Sequence, residues 1–437
     1  MESSDPRLMI DRAAMRPMQI VAVALCVVLN ALDGFDVLAI SFASPGIAAE
    51  WHVEHAALGL LLAMELFGMA AGSVLLGHVA DRIGRRPTIL LCLAMMAGGM
   101  AGAALASGVQ MLAVVRLCTG LGIGGMLACI NAMAAEYANA RNRALAVTVM
   151  AAGYPAGAII GGSVASLLLA HGGWRDIFTF GAIATAALLP LAWWLLPESI
   201  GFLMRKRPAD ALARINAALR RLGHEIVAAL PQVEERHRAA FGELFKSGLL
   251  ARTGWLTLAY FAHITTFYFI LKWVPKIVVD LGHAPSAASG VLVWANVGGL
   301  SGALLFSLLT RRWSLWRLLA IALVGSAIMV TVFGHATASL GQLSLAAGAA
   351  GFFANAAVVC LYALMAEIFP VQLRAGGTGF VIGVGRGGAA IAPVIAGALF
   401  GAGFGLAQVA LCMALGSVVA ALALLRLRGA TRQPAFA

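Results

Sequence analysis

Residues 77–86 read GHVADRIGRR, a polar and basic stretch between two apolar blocks at about 56–79 and 88–107. An α-helix needs about 20 mainly apolar residues to cross the hydrocarbon core of a bilayer. Both blocks have that length. The stretch is therefore predicted to be the aqueous connection between two transmembrane helices.

The composition extends this prediction to the whole chain. Of 437 residues, 61% are hydrophobic and 11% are charged, whereas soluble domains carry about 25% charged residues.

The six cysteines lie in apolar blocks, without the spacing of a disulfide framework or a zinc site. The sequence contains no HExxH, GxSxG or phosphate-binding Gly-Lys motif. We therefore expect no enzyme activity, no catalytic residue, no metal site and no cofactor.

Twelve such blocks predict an all-α integral membrane protein of twelve transmembrane helices in two six-helix pseudo-repeats. The first block is interpreted as a membrane helix and not as a cleaved signal peptide, because its apolar run is too long and no clear cleavage site follows. The predicted spans are about 18–42, 56–79, 88–107, 109–134, 144–170, 174–196, 252–279, 286–309, 315–335, 340–365, 376–400 and 404–426. The predicted domains are a cytoplasmic N-terminal arm at 1–17, a six-helix bundle at 18–196, a cytoplasmic central loop at 197–250, a second six-helix bundle at 251–427 and a cytoplasmic tail at 428–437.

The net charge of +11 is explained by membrane topology. Basic residues concentrate in the N-terminal arm, in alternate connections, in the central loop and in the tail, while the other side carries little beyond Arg175 and Lys276. Positive residues favour the cytoplasmic side. Both termini are therefore expected in the cytoplasm, in a multi-pass protein of the inner (plasma) membrane. We expect a monomer that binds no nucleic acid.

A repeat relates the two halves of the chain. Glu136 and Arg143-Ala144 in the first half correspond to Glu367 and Arg374-Ala375 in the second half, at a constant offset. Duplicated halves with the binding site at their interface are an architecture of membrane transporters.

The stretch at 77–86 fits the G-x-x-x-D-R-x-G-R-R signature of the major facilitator superfamily, and it stands between the second and third spans as in that family. Within the superfamily the chain resembles the aromatic acid:H⁺ symporters. This resemblance rests on Asp33-Gly34-Phe35-Asp36 in the first span, on Glu136-Tyr137 with Arg141 and Arg143 after the fourth, and on Arg386–Pro393 in the eleventh. It covers nearly the whole chain and implies a proton-coupled importer of benzoates and hydroxybenzoates with the major facilitator fold.

Two features depart from this family. The second-half copy of the loop signature has Thr310-Arg311-Arg312 where Asp-Arg is expected. Glu65 in the second span and Lys272 in the seventh are not residues expected of the branch. These departures affect the prediction of the substrate and of the proton stoichiometry more than that of the fold.

Ionisable residues inside spans are costly and are candidates for function by default. Asp33 and Asp36 are three residues apart, which places both carboxyls on one helix face. Two carboxyls in a low-dielectric site do not ionise together easily, so one is expected to carry a transported proton. Gly34 between them is expected to let a ligand approach the backbone. In the alternative, both acids pair with basic residues and only hold the bundle together.

Three basic residues and one further acid lie in other spans. Arg386 is expected to hold the substrate carboxylate, because a planar guanidinium matches a carboxylate with two hydrogen bonds; the alternative is a structural ion pair with an acid such as Asp36. For Arg116 the family resemblance implies proton coupling or gating, and the alternative is a packing ion pair. Glu65 is expected either to relay protons or to pair with Arg116. Lys272 is expected to extend to the membrane interface.

The remaining candidates are polar and aromatic residues of the spans, which can bind a ligand or bond across helices, and charged residues of the connections. The proton-coupling candidates are Asp33, Asp36, Glu65 and Arg116. The substrate-binding candidates are Asp33, Asp36, Arg386, Tyr154, Asn131, Phe267, Trp294, Asn296 and Asn355. The gating candidates, expected to form a latch that breaks as the halves rock, are Asp81, Arg82, Arg85, Arg86, Glu136 and Arg143.

The sequence thus predicts a secondary transporter that imports an aromatic carboxylate with protons by alternating access. The expected partners are a small organic anion, protons and the lipid bilayer. One alternative is the same fold with a pyridine carboxylate, a muconate-like diacid or an alicyclic acid. Others are an exporter that uses proton antiport, a sugar porter, which Pro197-Glu198-Ser199 favours, and, from another class, a membrane enzyme or a receptor.

Overall fold

The computed structural model describes residues 5–231, 241–246, 249–336, 339–370 and 373–432. Within these ranges the chain forms fifteen α-helices and one 3-10 helix, and no β-strand. Twelve of the helices are long and apolar enough to cross a membrane. The predicted fold class and the predicted number of spans are therefore confirmed.

The helices follow the predicted spans closely. The first nine are α1 (Pro6–Arg12), α2 (Pro17–Trp51), α3 (His55–Ile83), α4 (Arg85–Ala104), α5 (Val109–Tyr137), α6 (Arg143–His171), α7 (Trp174–Leu195), α8 (Ile200–Lys206) and α9 (Ala211–Leu222). After a 3-10 helix at Phe241–Phe245 come α10 (Leu250–Asp280), α11 (Pro285–Leu309), α12 (Leu315–Gly334), α13 (Leu340–Ile368), α14 (Arg374–Gly401) and α15 (Leu406–Arg432). The membrane-spanning helices are α2 to α7 and α10 to α15.

Helix α2 is the main departure from the predicted boundaries. The prediction ends this span near residue 42, before Pro45-Gly46, but the helix continues through both residues to Trp51. Membrane helices tolerate proline where a side chain satisfies the freed backbone carbonyl, and here the hydroxyl of Ser44 donates to the carbonyl of Ser41, four residues before Pro45, at 2.9 Å. Gly46 faces the ring of Trp174, and a β-carbon there would lie 2.9 Å from a ring atom. The Pro-Gly pair therefore lets α2 pass close to the start of α7.

A cluster of aromatic and charged residues surrounds the far end of α2. Arg175 donates to Glu50 at 2.7 Å and lies over the rings of Trp174 and Trp51, 4.2 and 5.8 Å from their centroids. The indole of Trp174 also donates to Glu50, at 2.8 Å. Tryptophan and arginine are typical of membrane–water boundaries, so the end of α2 is expected at such a boundary.

The chain divides into two compact units. Unit 1 comprises Met1–Val37, Gly68–Ala158 and Phe178–Arg236, and unit 2 comprises Leu38–Phe67, Ile159–Ile177 and His237–Ala437. Parts of the first six spans thus pack with the last six. The division into six-helix bundles at 18–196 and 251–427 stays a prediction from the sequence.

Glycine contacts of the same kind hold one helix pair in each half of the chain. Helices α3 and α5 approach so closely that β-carbons at Gly68 and Gly124 would each lie 2.1 Å from a backbone carbonyl oxygen of the other helix. Helices α11 and α13 repeat this arrangement: β-carbons at Gly298 and Gly351 would lie 1.9 and 2.0 Å from carbonyl oxygens across the contact. Small residues allow close packing of helices in lipid, where the hydrophobic effect does not hold helices together. The recurrence agrees with the repeat found in the sequence.

Large apolar side chains lie on the outside of the helices. Leu345, Trp194 and Leu425 are 76%, 75% and 67% exposed. Lipid chains solvate such residues at no cost, whereas water does not. The surface is that of a multi-pass membrane protein.

Candidate transport site

The two acids of α2 lie inside unit 1. Asp33 is 1% exposed and Asp36 is fully buried. Their spacing of three residues puts both carboxyls on one side of the helix. One turn before Asp33, the side chain of Asn30 donates to the carbonyl of Met150 on α6 at 2.6 Å and fixes α2 against that helix. The acids are therefore buried where α2 is bonded to α6, and buried ionisable residues inside a membrane span are candidates for function.

Arg116 is fully buried in α5, in the same unit. Its Nη2 donates to the carbonyl oxygen of Asp36 at 2.8 Å, its Nη1 contacts the sulfur of Met100 at 3.2 Å, and its guanidinium lies over the ring of Phe178. A permanent cation therefore touches the backbone of the residue that bears one of the acids. The prediction that Arg116 takes part in proton coupling stays a prediction, and this contact supports it.

The expectation for Gly34 was wrong. A β-carbon at Gly34 would lie 2.0 Å from the carbonyl oxygen of Tyr154, so the space beside this glycine is filled by α6. On α6, a β-carbon at Gly157 would lie 1.7 Å from the carbonyl oxygen of Ala31. The glycines serve close packing between α2 and α6 and give no ligand access to the backbone. Tyr154 itself has a half-buried side chain.

In unit 2, Arg386 follows Gly385, which packs against the ring of Tyr260; a β-carbon at Gly385 would lie 2.1 Å from a ring atom. Tyr260 is 4% exposed and shares a hydrogen bond of 3.1 Å between hydroxyls with Tyr362, which is 42% exposed. We call Tyr260, Tyr362 and Arg386 the tyrosine–arginine cluster.

Sequence analysis did not identify Tyr260 and Tyr362 as site residues. They lie on α10 and α13, far apart in the chain, so nothing local in the sequence indicates that their hydroxyls meet. A usable signal is that three of the five tyrosines fall in spans of the second half. The cluster offers a cation for a carboxylate and polar ring edges for an aromatic body.

The expectation for Lys272 was also wrong. Lys272 does not reach the membrane interface: it is fully buried, and its ammonium lies 3.6 Å from the carboxylate of Glu65, which is fully buried too. Lys272 stands about 12 Å before the end of α10 at 1.5 Å per residue, too far for its side chain to leave the helix bundle. Of the two roles expected for Glu65, pairing is observed, with Lys272 as the partner.

The other predicted substrate-binding residues have mixed surroundings. The side-chain amide of Asn355 donates to the carbonyl of Gly299 at 2.9 Å and joins α13 to α11, while that of Asn296 donates within its own helix to Leu292. Phe267 is half-buried and packs edge-to-face on Tyr268. Asn131 is exposed, and Trp294 is 57% exposed. Asn355 thus joins two helices, whereas the described bond of Asn296 stays within α11, and the binding role of all five residues stays a prediction.

The stretch at 77–86 ends in a turn that requires glycine. Gly84 has φ +109°, in the left-handed region, and a β-carbon there would lie 2.3 Å from the carboxylate of Glu198. Oε1 of Glu198 accepts from the backbone N–H groups of Arg85, Arg86 and Ser199 at 3.0, 3.2 and 2.8 Å. A carboxylate thus caps the positive N-terminus of α4. Burial raises the pKa of Glu198, although these hydrogen bonds and Arg214 act in the opposite direction.

The predicted gating residues make their described contacts within unit 1. Glu136 accepts from the guanidinium of Arg85 and from the hydroxyl of Ser199, the N-cap of α8. Asp81 pairs with Arg205 of α8 at 2.9 Å, and this pair is exposed. The two contacts connect α8 to α3, α4 and α5.

The other gating candidates are peripheral to these contacts. Arg143 pairs with Asp11 of α1 and donates to the carbonyl of Ala135 at 3.0 Å. Arg86 donates to the carbonyl of Trp193 at 2.6 Å and lies over its ring. Arg82 is exposed. A gating role for the six residues stays a prediction.

Twelve spans with buried carboxylates and buried cations define a membrane transporter. Within the described ranges no three His, Cys, Asp or Glu side chains are close enough to hold a metal ion. Residues 24–339 match the Major Facilitator Superfamily. The chain belongs to this superfamily and is a transporter, not an enzyme, which confirms the family identified from its sequence motifs.

Similar proteins of known activity cover nearly the whole chain. It is 31% identical to a gallate transporter of Pseudomonas putida over 95% of this chain and 93% of that protein. It is 27% identical to a 4-hydroxybenzoate transporter of Acinetobacter baylyi, over 97% and 94%, and 29% identical to a 3-(3-hydroxy-phenyl)propionate transporter of Escherichia coli, over 92% of each chain. All three are transporters of aromatic acids by name.

Solved structures agree on the fold. A D-xylose-proton symporter superposes with a TM-score of 0.70 at 20% identity, over 92% of this chain and 96% of that one. A bacterial homolog of the human lysosomal transporter Spinster superposes with a TM-score of 0.72 at 15% identity, over 96% and 98%. At this level of identity the likeness concerns the fold alone.

Proposed function

We propose that the protein imports an aromatic carboxylate, of the benzoate and hydroxybenzoate class, together with protons. The observation that carries this proposal is the tyrosine–arginine cluster of unit 2. A guanidinium inside a membrane span attracts an anion, and the phenol rings of Tyr260 and Tyr362 suit an aromatic anion better than a sugar or a cation. The named activities of the similar proteins support the same substrate class.

In the proposed site, Arg386 holds the substrate carboxylate with two hydrogen bonds. Tyr260 lies buried beneath Tyr362, and their hydroxyls already bond to each other. A ring hydroxyl of the substrate can join this pair as a further donor or acceptor. The rings supply an apolar wall for the body of the substrate.

Asp33 and Asp36 are the proposed proton carriers. Both carboxyls are buried in a span, and Arg116 contacts the backbone of Asp36. Close carboxyls exchange protons as a coupled pair, so the pair and not one residue carries the proton. Protonation neutralises the acids, and the bound carboxylate neutralises Arg386. The free energy needed to occlude both sites is then lower, and this couples the movement of the substrate to the movement of protons.

The proposed location is the inner (plasma) membrane, with both termini in the cytoplasm. The basic residues of the connections support this orientation. Import then means that substrate and protons enter from the side where α2 ends, near Trp51, and leave on the side of the termini.

The test uses purified protein in lightly buffered liposomes, with external pH recorded as benzoate, 4-hydroxybenzoate, gallate, pyridine carboxylates, sugars and cationic drugs are added in turn. Symport predicts alkalinisation outside with an aromatic acid. Arg386→Gln is expected to abolish it, whereas Arg317→Gln, an exposed arginine of the same unit, is expected to leave it unchanged. Movement of protons with only a sugar or a drug overturns the proposed substrate. Acidification outside with an aromatic acid indicates antiport and overturns the proposed direction.

A further inference from the structure

The ion pair between Glu65 and Lys272 has no part in the cycle described so far. Both side chains are fully buried, and their charged atoms lie 3.6 Å apart. A buried ion pair stabilises a fold little, since apolar residues of the same volume often do as well or better. Charges that are kept at such a place inside a membrane point to function.

The pair lies where a span of the first six meets two spans of the last six, all within unit 2. Gly59 on α3 and Gly397 on α14 approach so closely that a β-carbon on either would lie about 3 Å from the α-carbon of the other, at 3.0 and 2.9 Å. Trp273, next to Lys272, donates from its indole to the carbonyl of Pro393 at 3.2 Å and stacks on His55 of α3. The first part of α3 is therefore tightly packed against α10 and α14 here.

Alternating access requires that such a contact opens on one side of the membrane during each cycle. When α3 leaves α10, the ammonium of Lys272 loses the carboxylate of Glu65. Loss of a buried ion pair is strongly unfavourable, and an anion that replaces Glu65 lowers this cost. The substrate of the proposed function carries the same chemical group as the Glu65 side chain, a carboxylate.

Helix α10 leads from Lys272 to the tyrosine–arginine cluster. Tyr268 is one turn from Lys272, and Tyr260 is twelve residues away, or about 18 Å along the helix axis. Tyr260 belongs to the tyrosine–arginine cluster. A carboxylate bound at Lys272 is thus about three helical turns along α10 from Tyr260.

We propose that Lys272 is a second carboxylate-binding residue of the transport path, and that Glu65 occupies it in this structure as an internal competitor of the substrate. The ligand class is an aromatic carboxylate, and this proposal rests on the proposed function. Without substrate, the carboxylate of Glu65 pairs with Lys272. When α3 and α10 separate, the carboxylate of the substrate binds to Lys272 instead.

The test compares equilibrium binding of radiolabelled 4-hydroxybenzoate and gallate to purified protein in nanodiscs. The variants are Glu65→Gln, Lys272→Gln and the double variant. Lys276→Gln is the matched control, because it removes the same charge one turn further along α10, where the ammonium pairs with Asp280 of the same helix. Melting temperatures of all variants are recorded beside the affinities.

Competition predicts an asymmetric result. Glu65→Gln removes the competitor and tightens binding by at least about fivefold, the lower range of coupling between two sites. Lys272→Gln removes a charged hydrogen-bond donor and weakens binding by roughly tenfold or more. The double variant behaves like Lys272→Gln, and Lys276→Gln binds like the wild type.

A purely structural pair predicts the opposite pattern and overturns the proposal. Each single variant then leaves one buried charge without a partner and loses melting temperature and binding, while the double variant recovers both. Unchanged affinity in Glu65→Gln also overturns it. If the wild type binds neither acid, the proposed function fails. If the wild type binds the acids, Arg386→Gln does not bind them, and the Glu65 and Lys272 variants bind them normally, then only the inference about Lys272 fails.

Discussion

The guanidinium of Arg116 donates a hydrogen bond of 2.8 Å to the backbone carbonyl of Asp36, and both residues are fully buried. The bond ties α5 to α2 at the level of the two acids. It contacts the main chain, so protonation of the Asp36 side chain does not by itself remove the acceptor. Arg116 is thus a cation held beside the carboxyl pair that we propose as the proton carrier.

Arg116→Lys is expected to reduce proton-driven uptake by roughly tenfold or more, because one ammonium cannot replace a guanidinium that both bonds the carbonyl of Asp36 and lies over the ring of Phe178. The measurement is the initial uptake rate of 4-hydroxybenzoate into liposomes with an imposed pH gradient. Arg317→Lys is the control at an exposed arginine. A wild-type rate in Arg116→Lys contradicts the assigned role.

Gly34→Ala is expected to destabilise the protein by about 1–3 kcal/mol, the usual cost of overpacking. The new β-carbon would lie 2.0 Å from the Tyr154 carbonyl, so α2 and α6 have to move apart. Gly98→Ala is the matched control, since a β-carbon at this helical glycine meets no atom within 4 Å. Thermal unfolding in detergent measures both, and equal melting temperatures would show that α6 yields without cost.

Removal of Glu136 is expected to lower the free energy of unfolding more than removal of Asp81. Glu136 lies near the end of α5, and Asp81 lies near the end of α3. Glu136 accepts from Arg85 and Ser199 at a partly buried place, so Glu136→Ala leaves donors without an acceptor and costs about 1–3 kcal/mol. The pair of Asp81 with Arg205 is exposed, so Asp81→Ala changes stability by less than about 1 kcal/mol. Urea or thermal unfolding ranks the two, and the reverse order refutes the ranking.

Glu198 gives the protein a predictable dependence of stability on pH. Burial raises its pKa above the ordinary value of 4.5, so the folded chain holds this proton more tightly than the unfolded chain. The contribution of Glu198 to stability is then complete below pH 4.5 and is lost as the pH rises through the raised pKa.

The measurement is the difference in melting temperature between the wild type and Glu198→Gln, which does not titrate there. This difference is expected to be most favourable to the wild type at acid pH and to shrink as the pH rises. Glu225→Gln removes an exposed carboxyl as a control. A difference that grows with pH would mean that the hydrogen bonds to the carboxylate outweigh burial.

The fold was predictable because its signals are local. Each span is a continuous apolar block, and the basic connections alternate with it, so the count of twelve does not depend on any tertiary contact. The signature at residues 77–86 was found in the same way. Its second glycine, Gly84, has a positive φ, a conformation that favours glycine.

The candidate site was predictable in its components but not in its pairings. Asp33, Arg116 and Arg386 stand out because a charge in an apolar block is visible in the sequence. Lys272 was misjudged, since the partner that keeps it buried lies on a helix about two hundred residues away, and no local pattern indicates this contact. The space beside Gly34 was misjudged for the same reason, because α6 fills it.

The length of α2 has a consequence for how the protein sits in lipid. A helix from Pro17 to Trp51 is roughly 52 Å long at 1.5 Å per residue, against a hydrocarbon core of about 30 Å. Bilayer thickness alone therefore does not fix the position of α2 along the membrane normal. The tryptophans and Arg175 at its far end act as a depth anchor, so thinner or thicker bilayers change the tilt and the local lipid packing while the anchored end keeps its place.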